Sequence, residues 1–67
     1  MTIYAQRLAE AMVKNNLDIQ RLAEKSGVSK TNIYAVMERK IEPKAHTLAA
    51  YADALGVSMD WLWGRVD

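Results

Sequence analysis

The segment DIQRLAEKSGVSKTNIYAVM, residues 18–37, decides the fold. Its apolar residues recur at helical spacing in two groups on either side of Gly27. Asp18 and Ser29 are of the types that begin helices, because a side-chain oxygen can accept from the free backbone N–H groups. Gly27 suits a helix end because glycine adopts the left-handed backbone conformation at little cost. The segment therefore predicts two short helices joined by a tight turn, the second over residues 29–37.

Three more helices are predicted around this pair. One precedes it and ends at Asn15-Asn16, one follows Pro43 and ends at Gly56, and a short one starts at Ser58. No apolar and polar residues alternate over a run long enough to indicate a strand. The predicted fold is all-α, a compact five-helix orthogonal bundle in which helices 2 and 3 form the helix-turn-helix.

The composition restricts the classes of protein further. The chain has 67 residues and no cysteine, so we expect one domain, residues 1–67, with no disulfide and no thiolate metal site. No apolar run approaches the length of a membrane span, and no signal peptide precedes the first helix. A cytoplasmic protein is expected. The net charge of +1 gives little support for nucleic-acid binding by itself.

The distribution of charge is more informative than its sum. Between residues 14 and 44 the basic residues are Lys14, Arg21, Lys25, Lys30, Arg39, Lys40 and Lys44, against the acids Asp18, Glu24, Glu38 and Glu42. Beyond residue 44 the balance reverses, with Asp53, Asp60 and Asp67 against Arg65. A basic side opposite an acidic one is expected of a domain that meets phosphates on one side. A solvated surface of mixed charge is the alternative.

The ordered pattern resembles the Cro/repressor-type, or XRE-like, helix-turn-helix DNA-binding family, and in particular its small single-domain, Cro-like members. The resemblance covers nearly the whole chain and is carried by Leu22-Ala23, Gly27-Val28-Ser29, Ile33, Pro43, Thr47-Leu48 and the run ADALGVS at residues 52–58. It implies a lambda-repressor-like fold and a sequence-specific transcription regulator of duplex DNA. In that family the helix corresponding to residues 29–37 enters the major groove.

The resemblance also implies which residues contact DNA. At the positions that face bases in the family, this chain has Lys30, Thr31, Tyr34 and Ala35. Phosphate contacts are expected from the start of helix 2, the start of helix 3 and the loop beyond it. The candidates there are Gln20, Ser29, Asn32, Arg39, Lys40 and Lys44.

The chain departs from the family pattern at four positions. Ile19 stands where many members have a phosphate-binding glutamine, so Gln20 could replace it only in a slightly rotated helix. Met12 and Met37 stand where members commonly have a partly buried Arg–Glu pair, and we expect an apolar contact between them instead. Arg39 takes the place of the usual glycine after helix 3, so that turn must differ or accept strain.

Members of the family bind as two-fold dimers on half-sites one helical turn apart, about 34 Å. The resemblance therefore implies a weak homodimer, strengthened on DNA, and a pseudo-palindromic operator. Trp61 and Trp63 cannot share one helix face, and we expect Trp63 to project away from a core formed by Trp61 and Leu62. Folding of Trp63 back onto its own subunit is the alternative. The residues expected at the dimer interface are Val57, Met59, Trp63 and Val66.

Other functions have less support in the sequence. His46 is the only histidine and no nucleophile is organised near it, so we expect a surface residue, no enzyme, no metal and no cofactor. The rival hypothesis is a protein-interaction module, such as an antitoxin-like adaptor that keeps the bundle without binding DNA. Ile19 favours it slightly, and the basic residues of the predicted DNA side oppose it. Without a second domain, a Cro-like phage or prophage repressor fits better than a large repressor with an effector module.

Overall fold

The computed structural model describes residues 3–66 and has five helices there. They are α1 (Ile3–Lys14), α2 (Ile19–Ser26), α3 (Lys30–Met37), α4 (Ala45–Leu55) and α5 (Met59–Trp63). No strand occurs within the described range, so the all-α prediction of five helices is confirmed. No helix of that range is long and apolar enough to cross a membrane. Asp67, counted above among the acids, lies outside the described residues.

Three helices begin at the residues that the sequence predicted. The carboxylate of Asp18 accepts from a backbone N–H three residues later at 2.8 Å. The hydroxyl oxygens of Ser29 and Ser58 accept in the same way at 3.2 and 3.0 Å. Each bond satisfies a donor that has no partner inside the helix, which is why these positions start α2, α3 and α5.

The core receives at least one fully buried side chain from every helix. Leu8 of α1, Leu22 of α2, Ile33 of α3, Tyr51 of α4 and Leu62 of α5 are each at most 1% exposed. Full burial of a side chain of this size stabilises a fold by about 1.5–3 kcal/mol. Because the core is small, losing any one of these side chains removes a large part of the stability.

The turn after α3 has the usual geometry with a strained backbone conformation at Arg39, one of the two outcomes that the sequence left open. Arg39 has φ +62°, the left-handed conformation that glycine usually provides. Its N–H donates to the carbonyl of Val36 at 3.0 Å, and the N–H of Lys40 donates to the carbonyl of Ala35 at 2.9 Å. These are the two bonds of the Schellman motif. The turn therefore has the usual Schellman geometry. The left-handed conformation of a non-glycine residue in it costs about 1–2 kcal/mol of stability.

The end of α5 packs on the beginning of α1. Gly64 has φ +97°, and a Cβ there would collide with the side chain of Ile3. Arg7 donates through Nη1 to the carbonyl oxygens of Trp61 and Val66, and its guanidinium lies 4.9 Å from the centre of the Trp61 ring. Arg7 thus attaches the last described residues to α1, a role that its position in the sequence did not indicate.

The orientation expected for Trp63 needs correction. Its ring stacks on Tyr4, with ring centres 5.3 Å apart and planes 6° from parallel. The side chain is half-buried against the core and does not project away from it, so the alternative of folding back onto its own subunit describes this ring. Trp61, expected in the core, is also only half-buried. The two tryptophans have different neighbours, as their spacing predicted.

Candidate nucleic-acid interface

The turn between α2 and α3 is fixed by short-range bonds. Ser26 donates from its hydroxyl to the carbonyl of Leu22 at 2.6 Å and accepts from the N–H of Val28 at 3.2 Å. Gly27, with φ +76°, donates its N–H to the carbonyl of Ala23 at 2.9 Å. Val28 is half-buried against the core. These contacts hold α3 at a defined orientation to α2.

The two sides of α3 have opposite environments. Ile33 and Val36 are 0% and 1% exposed and attach the helix to the core. Lys30 and Thr31 are exposed, and Tyr34 has 52% of its surface exposed although it is a large apolar residue. The predicted base-contacting set therefore lies on the outward side, with Ala35, its smallest member, half-buried at the edge.

Most of the residues expected to contact phosphate are exposed. Five of them are exposed, Gln20, Ser29, Arg39, Lys40 and Lys44. The sixth, Asn32, is half-buried. The oxygen of Ser29 accepts the capping bond of α3, so its hydroxyl proton remains a donor for an anion.

The basic side chains of this surface are not committed to strong ion pairs. Within residues 3–66 one ion pair forms, between Lys40 Nζ and Glu38 Oε1 at 3.2 Å, and both side chains are more than half exposed. A surface pair of this kind contributes at most about 1 kcal/mol. Lys40 can therefore exchange Glu38 for a phosphate at little cost.

At the start of α2, the position of the usual glutamine holds an apolar residue. Ile19 is half-buried and packs against the core, whereas Gln20 is exposed on a polar surface of mixed charge, with Asp18, Arg21, Glu24 and Lys25. Gln20 is the outward-facing amide at this end of α2. Arg21, the next residue, is exposed as well.

A profile of the helix-turn-helix family matches residues 8–62, most of the described chain. The chain belongs to the XRE-type helix-turn-helix family. It is 41% identical over 59 residues to the HTH-type transcriptional regulator PrtR of Pseudomonas aeruginosa. That alignment covers 88% of this chain but 23% of the relative, so the chain spans about a quarter of that relative's length. Family membership makes the chain a helix-turn-helix domain of the kind found in DNA-binding regulators.

Within this family domain, a side-chain bond that the sequence did not predict joins α3 to α4. Tyr51 donates from its hydroxyl to Oδ1 of Asn32 at 2.7 Å. Asn32 is the third residue of α3, at the end that faces DNA in the family. The apolar stripe of α4 indicated that Tyr51 is buried, but nothing in the spacing indicated its partner.

The residues expected at a dimer interface do not form one surface. Met59 and Trp63 line a shallow, mainly apolar groove together with Pro43 and Leu48, and the charged residues Asp60 and Arg65 also line it. Val57 instead lines a separate depression at the other end of α4 and α1. Val66 is 49% exposed beyond α5.

The apolar contact expected between Met12 and Met37 stays a prediction. Met12 is 6% exposed in the core, and Met37 is half-buried against it, beside Ala9 and Val13 of α1. Neither position holds a charge that would need a partner.

Within the described residues, no three acidic or histidine side chains come together as a metal site.

Proposed function

We propose that this chain is a sequence-specific transcription regulator that places α3 in the major groove of duplex DNA. The observation that carries the proposal is the outward side of α3. It exposes Lys30, Thr31 and Tyr34 on a helix whose opposite side is fixed in the core. A helix fits the major groove, where each base pair has a distinct pattern of donors and acceptors.

The outward residues have different capacities. Lys30 can donate to O6 and N7 of guanine, and Thr31 can bond to a base or offer its methyl group to thymine. Ala35 offers only a methyl group. Tyr34 can contact a base edge or a phosphate. The phosphate-contacting residues surround them and fix the position of the domain on the duplex: Gln20, Ser29, Asn32, Arg39, Lys40 and Lys44.

One recognition helix covers only a few base pairs, so specificity requires two. We propose a weak homodimer on a pseudo-palindromic operator with half-sites about 34 Å apart. The groove beside Met59 and Trp63 supports this region as the contact, with Val66 exposed beyond α5. Val57 lines a separate depression and is not part of the proposed contact. The biological role we propose is that of a Cro-like phage or prophage repressor that acts in the cytoplasm.

The test of DNA binding starts with selection of bound sites from random duplexes. Affinity for the selected site should fall steeply with salt, by roughly 1,000-fold between about 50 and 200 mM for about six phosphate contacts. Lys40→Ala should weaken binding to all sequences alike. Lys30→Ala should reduce discrimination at one base pair by about 1–3 kcal/mol.

Two outcomes count against this function, and a third counts against the role of one residue. A flat salt response, or no binding at low salt, contradicts DNA binding and favours the protein-interaction module. If Lys30→Ala and Lys40→Ala change binding in the same way, Lys30 does not contact a base.

The dimer is tested by sedimentation of the chain at high concentration and on its operator. Met59→Glu adds a carboxylate to the groove and should abolish self-association, because a charge opposes an apolar contact. Met59 is 38% exposed, so we expect the fold to tolerate the substitution. Val13→Glu is the matched control, since Val13 is 80% exposed on α1 and does not line the groove. A parent that stays monomeric on its operator, or a Met59→Glu variant that dimerises unchanged, contradicts this interface.

A further inference from the structure

Tyr51 connects the interior of the domain to the DNA-facing end of α3. The residue is 1% exposed, on the side of α4 that packs in the core. Its hydroxyl nevertheless reaches the half-buried side chain of Asn32 and donates to Oδ1 at 2.7 Å. The hydroxyl of this core residue therefore forms its hydrogen bond with a residue of the candidate interface.

The bond determines which end of the Asn32 amide remains available. Oδ1 is occupied by Tyr51, and Nδ2 makes no hydrogen bond within residues 3–66. A phosphate oxygen accepts hydrogen bonds and donates none, so only Nδ2 can serve it. A tyrosine hydroxyl either donates or accepts, and the donating arrangement is the one that leaves Nδ2 for the phosphate.

We propose that Tyr51 is a positioning residue for DNA binding, whose hydroxyl holds the Asn32 amide with Nδ2 available to a phosphate. The proposal rests on the function proposed above and adds a residue that does not touch DNA. Ordering a side chain at the moment of binding costs affinity, and a side chain that is already held avoids that cost. Asn32 therefore binds as part of a prepared surface, and α4 contributes to DNA affinity through it.

The hydroxyl keeps the proton that this role requires. Burial raises the pKa of Tyr51 to about 12. The group is therefore a donor at every pH at which DNA binding is ordinarily measured.

The test is a double-mutant cycle on affinity for the selected duplex at fixed salt. Asn32→Ala should weaken binding about 10-fold, since a hydrogen bond to a charged group is lost. Tyr51→Phe keeps the ring in the core and should weaken binding about 3-fold, the cost of an amide that is no longer held. The double variant should bind like Asn32→Ala alone, because the hydroxyl acts only through that amide.

Nuclear magnetic resonance of the free protein provides a readout that does not depend on DNA. Tyr51→Phe should shift the side-chain N–H₂ signals of Asn32. The Asn15 side chain is the internal control, because its Nδ2 is held by the carbonyls of Ala11 and Leu55 and should not respond.

The outcomes separate this proposal from the one that it rests on. If the parent binds duplex DNA and Tyr51→Phe binds equally well, or if the effects of the two substitutions multiply, the role of Tyr51 is wrong and the proposed function stands. Unchanged Asn32 signals in Tyr51→Phe also overturn it. If the parent binds no duplex at any salt, the proposed function fails and this role fails with it.

Discussion

The two sides of α3 differ in what they contribute, although they belong to one helix of eight residues. The inward side has Ile33 and Val36, which are almost wholly removed from solvent. The outward side exposes Lys30 and half of Tyr34, and no residue within the described range covers them. The first side fixes the helix in the core, and we propose that the second side binds DNA. Substitutions should therefore separate the two properties.

The largest difference is expected between two neighbouring residues, Ile33 and Tyr34. Ile33→Ala leaves a cavity in the core and should lower the free energy of unfolding by about 3 kcal/mol, most of the stability of so small a domain. Tyr34→Ala should change it by less than about 0.5 kcal/mol and weaken DNA binding. Urea denaturation followed by circular dichroism, with a binding assay, measures both. An unfolded Tyr34→Ala variant would show that the outward side also supports the fold.

A smaller loss is expected where α3 meets α1. Met37→Glu brings a carboxylate against an apolar surface and should lower the free energy of unfolding by about 1–2 kcal/mol, because Met37 is only half-buried. Adding Met12→Arg should recover most of that loss by supplying a partner. The four unfolding curves of this cycle are the measurement. Independent, additive effects would mean that the two side chains do not meet.

The end of α3 should show stability and binding moving in opposite directions. Arg39→Gly removes left-handed strain and should raise the free energy of unfolding by about 1 kcal/mol, while weakening DNA binding through loss of a charge. Gly56→Arg is the reciprocal control at the end of α4, where φ is +68° and no atom beyond the neighbouring residues of the chain lies within 4 Å of a Cβ. It should lose a similar amount of stability without weakening DNA binding. Equal stability of Arg39→Gly and the parent would exclude strain at Arg39.

The smallest effect concerns pH. The pKa of Tyr51 is raised to about 12 in the folded chain, from an ordinary value of 10. The unfolded chain therefore releases this proton first as pH rises, and the stabilisation, complete below pH 10, is lost between pH 10 and 12. The advantage of the parent over Tyr51→Phe in free energy of unfolding should shrink across that interval. A constant difference would contradict the burial of the hydroxyl.

Most of the fold could be predicted because its signals are local. Asp18, Ser29 and Ser58 each bond to the backbone three residues away, and Gly27 adopts its left-handed conformation within its own turn. The structural role of such residues can be predicted from the sequence alone, because their partners are close in the chain. The helical spacing of Leu22, Ile33 and their equivalents then indicated the core.

The features that sequence reasoning missed join residues far apart in the chain. Trp63 stacks on Tyr4, Arg7 donates to carbonyls at the other end of the chain, and Tyr51 bonds to Asn32. Which residues become partners depends on how the helices pack against one another. The periodicity of a single helix does not indicate that packing. The residues proposed to contact DNA come from the resemblance to the family and stay a prediction. The bond from Tyr51 to Asn32 could not be predicted in that way.

The central claim is that the outward side of α3 binds DNA, and backbone amide spectra recorded during titration with the selected duplex test it most directly. The account predicts that the largest shift changes fall on Lys30, Thr31 and Tyr34, with smaller ones at Arg39 and Lys40. An equal amount of a scrambled duplex at the same salt should leave the first three nearly unchanged and perturb the last two. Changes concentrated on Met59 and Trp63, with α3 unaffected, would contradict the account.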